Sequence, residues 1–130
     1  HKLDIPTLEM APRSAEVYGI PLTPSPAPEV FIEEGDVIRF GNSALKVIFT
    51  PGHAPGHVVF YNEEQDFLIA GDTLFQRSIG RTDLPGGDHA TLIESIKTKL
   101  FTLPENTVVF CGHGPSTSIG EEKAENPFLN

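Results

Sequence analysis

One cysteine, Cys111, stands in a chain of 130 residues. A single thiol excludes an intramolecular disulfide framework and fits a reducing compartment, so a cytoplasmic setting is expected. Basic residues are scarce too. Only 9 Lys and Arg oppose 18 Asp and Glu, for a formal net charge of −9. That balance excludes the basic face a nucleic-acid binder needs to release counterions. It also disfavours an anionic membrane surface. No apolar run approaches a membrane span, no signal-peptide pattern is present, and no internal repeat is visible. Neither nucleic acid nor membrane is therefore expected as a partner.

What is present suits one globular domain: 38% hydrophobic and 21% charged residues. Twelve glycines and twelve prolines predict many turns with short strands between them. Residues 4–18 read as helical, with Asp4 as cap, Pro6 in the first turn and Pro12 dividing the segment into two short helices. The proline-rich stretch PLTPSPAP, residues 21–28, reads as an extended connector. Strands are predicted at Val30–Ile32, Val37–Phe40, Ala44–Phe49, Val58–Tyr61, Phe67–Ala70 and Thr107–Cys111. A helix is predicted from Ala90 to Phe101, capped by Asp88, with Leu92, Ile93, Ile96 and Leu100 on one face. A short helix is expected at Glu121–Glu125.

The later strands, HVVFY, FLIAG and VVFCG, are apolar nearly throughout, which suits strands buried on both faces. The Ala90–Phe101 helix covers one face. Nothing else in the chain is large enough to cover the other. The missing layer is expected from further sequence or from a second copy of the chain.

Three strand ends carry metal-type residues. TPGHAPGH, Thr50–His57, holds two histidines four apart. Pro55 between them disfavours a helix, and no Glu follows His53, so this is not the HExxH zinc pair. Gly71-Asp72 ends one buried strand and Gly112-His113 another, the glycine letting the backbone turn in each case. Imidazole and carboxylate at one sheet edge suit zinc, iron or manganese. Each residue also has a plain reading: a histidine after a turn is commonly a polar loop residue, and Asp72 a cap. His53 reads as a hydrogen-bonding loop residue and Cys111 as a small packed hydrophobe. His89 reads as a first-turn surface residue, His1 as structural, and Arg77 and Arg81, near Asp83, as loop braces. The threefold coincidence favours metal.

TPGHAPGH, GDTLF and CGHGP, in this order and at these intervals, resemble the metallo-β-lactamase superfamily, most of all its glyoxalase II-like hydrolases. SIGRTDLPGGDH and the tail GHGPSTSIGEEKAENPFL strengthen the likeness, which covers nearly the whole chain. The resemblance implies an α/β (α+β) fold, part of a four-layer αββα sandwich. The chain would supply mainly the C-terminal sheet with its outer helix. It implies His57, Asp72 and His113 as metal ligands, with Asp72 bridging two ions. His53, Thr50 and Cys111 are expected to support those ligands. Phe75, Arg81 and Ser116 are candidate substrate-lining residues. The implied cofactor is zinc, two ions in the intact protein, with iron or manganese as alternatives. The implied activity is hydrolysis of a small-molecule thioester by metal-bound hydroxide.

One departure is plain: the family's earlier HxHxDH motif is absent. Residues 1–130 are therefore expected to be the C-terminal portion of a single such domain. With three candidate ligands the chain alone is expected to bind metal weakly or not at all, and to be inactive. Two other functions stay open. One is an iron oxidoreductase resembling persulfide dioxygenases. The other is a non-catalytic chain that self-associates through an uncovered sheet face.

Overall fold

The computed structural model describes residues 1–130. Helix α1, Ile5–Val17, runs unbroken through Pro12. The expected division there does not occur, since a proline removes one helical hydrogen bond while the turns on either side keep theirs. Pro6 lies in the first turn, where a missing N–H costs nothing. The predicted strand at Val30–Ile32 is also absent. Val30 and Phe31 are exposed, and no strand pairs with them. Strand propensity without a partner gives no strand.

The remaining apolar runs form the sheet. Strands β1 (Val37–Phe40), β2 (Ser43–Phe49), β3 (Val58–Asn62) and β4 (Phe67–Gly71) pair antiparallel in sequence. Two elements escaped the sequence reading, a hairpin of β5 (Leu74–Phe75) and β6 (Ser78–Ile79), and later the edge strand β8 (Thr117–Ser118). Two-residue strands carry no periodicity to detect. Helix α2, His89–Ser95, follows the hairpin; Asp88 caps it by accepting the Thr91 N–H. It continues as a π-helical turn, Ile96–Leu100, closed by the Phe101 N–H on the Ile96 carbonyl at 2.9 Å. The chain then returns as β7 (Val108–Cys111), parallel to β4, and β8 (Thr117–Ser118) closes that edge. The six-stranded order is β1-β2-β3-β4-β7-β8. Helix α3, Ile119–Glu125, starts two residues before its predicted position, capped by Ser118.

This is the mixed α/β architecture expected. One sheet face is the core: Ile48, Val59, Leu68, Ala70 and Val109 meet Leu92, Ile96 and Leu100 from α2 and its π turn, with Ile119 from α3. On the opposite face Phe60, Ile69 and Phe110 stand side by side across three strands. There Ile69 is 41% exposed and Phe110 49%. That face is open over β4 and β7, whereas Leu45 and Val47 of β2 are buried on it. The helical crossover from β4 to β7 also brings their C-terminal ends, Gly71 and Cys111, into register.

Candidate metal centre

That register places Asp72 and His113 at one edge. The Gly112 N–H donates to the Gly71 carbonyl at 2.7 Å, tying the two strand ends together. Gly71 turns with φ of +50°, a conformation that favours glycine. The TPGHAPGH turn arrives from the other side. Its Gly56 N–H donates to Asp4 Oδ1 at 2.7 Å. Asp4 therefore occupies the N-cap position of α1, but its side chain caps nothing there and anchors the histidine turn.

The three imidazoles converge on Asp72. His53 Nε2 lies 3.6 Å from Asp72 Oδ2, and His113 Nε2 lies 3.5 Å from Asp72 Oδ1. His57 Nε2 accepts the Asp72 backbone N–H at 3.1 Å. The acceptor role puts the His57 proton on Nδ1, which donates to Thr73 Oγ1 at 2.9 Å, with Thr50 Oγ1 at 3.2 Å. Burial, then the neighbouring His53, lowers the His57 pKa. Its ring is thus held neutral, with the Nε2 lone pair turned toward Asp72. His53 is oriented by a different bond: its Nδ1 donates to the Arg81 carbonyl at 2.8 Å, which aims Nε2 toward the carboxylate.

Donor chemistry and spacing fit a divalent cation. With bonds of about 2.0–2.2 Å, two ligands on a tetrahedral ion stand about 3.3–3.6 Å apart. The two imidazole–carboxylate separations match that edge. Donor number falls short, because no three His, Cys, Asp or Glu side chains are already set around one point.

The other expected residues divide. Thr50 is buried and bonded to His57, and Phe75 lies edge-on to the His113 ring, centroids 5.9 Å apart. Cys111 is half-buried and points its thiol at the Val109 carbonyl, and burial raises its pKa. It packs in β7 and hydrogen-bonds to no histidine. Arg81 makes two 2.8 Å bonds to Asp83, so only its carbonyl serves the site. Ser116 is exposed. Sequence reasoning missed Thr73 and the side-chain role of Asp4. Thr73 sits inside GDTLF, so its position was visible though its partner was not.

Comparison with known proteins places these features among others like them. Residues 3–113 match the family model described as "Metallo-beta-lactamase superfamily". The chain is 48% identical over 117 residues to a probable metallo-hydrolase, YqgX, of Bacillus subtilis, covering 90% of this chain and 55% of that one. It is 42% identical over 123 residues to hydroxyacylglutathione hydrolase GloC of Haemophilus influenzae, covering 94% and 58%. Among solved structures, TTHA1623 in a di-iron-bound form superposes with a TM-score of 0.88 at 43% identity, covering 99% of this chain and 63% of that one. The chain thus spans little more than half the length of these curated relatives. No helix is long and apolar enough to cross a membrane.

Proposed function

The chain belongs to the metallo-β-lactamase superfamily, and on that premise we propose that it carries part of the active site of a metal-dependent thioester hydrolase of the glyoxalase II type. One observation carries the reading: His57, Asp72 and His113 meet at one strand-end edge, with His57 Nε2 on the Asp72 N–H at 3.1 Å and His113 Nε2 3.5 Å from Asp72 Oδ1. Its substrate class follows the likeness to a hydroxyacylglutathione hydrolase.

Asp72, His57 and His113 would hold the metal, zinc in the first instance. A metal held there would supply Lewis acidity, lowering the pKa of a water and polarising the thioester carbonyl. The chain's own residues do the rest. Thr73 and Thr50 keep the His57 proton on Nδ1, so Nε2 carries the lone pair that a metal would take over from the Asp72 N–H. The Arg81 carbonyl orients His53, whose Nε2 faces the carboxylate. The β5 residue Phe75 limits rotation of the exposed His113 ring.

Further donors are required, and this sequence has no HxHxDH motif to supply them. We propose that residues 1–130 act as the C-terminal portion of one domain whose other part brings those donors and covers the open sheet face. Alone, the chain binds zinc weakly and turns over little thioester.

The test is hydrolysis of S-lactoylglutathione by the intact zinc-loaded protein, beside Asp72→Asn and His113→Ala. Each variant is expected to lose about a hundredfold or more in kcat/KM. Oxygen uptake with glutathione persulfide, without thioester hydrolysis, would replace this reading with an iron oxidoreductase.

A further inference from the structure

A cleft of about 720 Å³ opens between α1 and the loop 80–87. Helix α1 and the residues flanking it supply Leu3, Met10 and Tyr18, and the loop supplies Leu84. These large apolar side chains are 47%, 54%, 77% and 44% exposed, and all face this one depression. Its charged lining group is Arg81, whose guanidinium is already paired in both directions with Asp83. The lining therefore presents apolar surface without net charge. Its size falls within the range of small-molecule sites.

The cleft adjoins the metal-type residues. Pro55, in its wall, stands between His53 and His57. The loop on the far side bonds His53 through the Arg81 carbonyl. It also packs tightly on Pro55, since a Cβ at Gly86 would lie 2.6 Å from Pro55 Cγ. A molecule seated in the cleft would touch the backbone turn that aims both rings.

We propose that this cleft binds the uncharged apolar chain, acyl or alkyl, of the substrate whose polar end lies at Asp72. The lining offers a charged tail no unpaired countercharge, since Arg81 is taken by Asp83, and favours an apolar one. Chain length then sets affinity, because each methylene removed from water adds to binding. Joining tail and reacting group in one molecule rests on the hydrolase reading; occupancy of the cleft does not.

Met10 is the sole methionine, so a methyl-labelled chain reports on the cleft with one resonance. The probe is S-hexyl-N-acetylcysteamine, a thioether that cannot be hydrolysed, added without metal. The Met10 methyl is expected to shift and saturate. Its S-methyl analogue should bind roughly tenfold or more weakly. Leu84→Asp should weaken the hexyl compound by a similar factor while the remaining methyl spectrum keeps its positions. Equal affinity for both analogues, or a shift that never saturates, overturns the proposal, and neither result depends on a variant folding. An unresponsive Met10 methyl in the intact protein overturns it too, by showing the cleft filled with polypeptide. Failure to hydrolyse thioesters would leave a saturating Met10 shift standing, so the two readings fail separately.

Discussion

At position 112 the space a side chain would need is already taken. A Cβ there would lie 2.2 Å from Asp72 Oδ1 and 2.8 Å from the Gly71 carbonyl. The backbone contact is fixed by the strand pairing, so the carboxylate must yield. Gly112→Ala should therefore push Asp72 off its line to His113. The intact protein should lose about ten- to a hundredfold in zinc affinity, measured by competition with a chelator. An unchanged affinity would mean that Asp72 does not need its present position to bind. A second residue-scale effect lies in the loop. The Arg81 guanidinium holds the Asp83 carboxyl at about 2, against an ordinary 3.8. A depressed folded pKa means the pair's contribution is complete above the ordinary value and fades as pH falls toward about 2. Arg81→Gln should return the Asp83 carboxyl titration, followed by carbon NMR, toward 3.8. No such return would show that Arg81 is not the cause.

The hairpin and α3 are joined by one buried carboxylate. Glu122 is fully buried and accepts from the Arg77 N–H at 2.9 Å, Arg77 Nη1 at 2.8 Å, Thr117 Oγ1 at 2.6 Å and Asn126 Nδ2 at 2.8 Å. Arg77 itself sits at φ of +56° in the β5–β6 turn, a strained geometry that these bonds hold. A glutamine at 122 would present an NH2 to donors and remove the buried charge opposite Arg77. Glu122→Gln should cost about 3 kcal/mol of stability in urea unfolding, the scale of breaking a buried pair. A loss under about 0.5 kcal/mol would show the network to be incidental. This junction also marks where the sequence stopped being legible. The long strands were readable as bounded apolar runs, and α2 by its helical period and its cap. Asp72 and His113 were readable because a glycine and a strand end announce them. The hairpin, the Glu122 lock and the Asp4–Gly56 bond were not. The last two arise from contact between residues some 45 to 52 positions apart, which no local pattern encodes, and the hairpin's two-residue strands are too short to show a period.

The open sheet face belongs to the whole molecule. Phe40, Ile69, Val108 and Phe110 are 53%, 41%, 39% and 49% exposed, and Phe67 meets Phe110 edge-on across the strands. Burying side chains of this size yields about 1.5–3 kcal/mol each, so an open face of several is a strong drive to find cover. The edges give less drive, because β8 is two residues long and β1 four. Face-to-face pairing is therefore the expected route for the isolated chain. Sedimentation should show a dimer or larger species that binds a hydrophobic dye. Ile69→Lys with Phe110→Lys should release it to monomer. The urea midpoint extrapolated to low protein concentration should change little, since both positions are exposed and Leu68, Ala70 and Val109 behind them stay packed. A clean monomer that binds no dye would mean that the exposed row needs no cover. It would then remove the physical reason for a further layer and leave the incomplete donor set around Asp72 as the sole support for one.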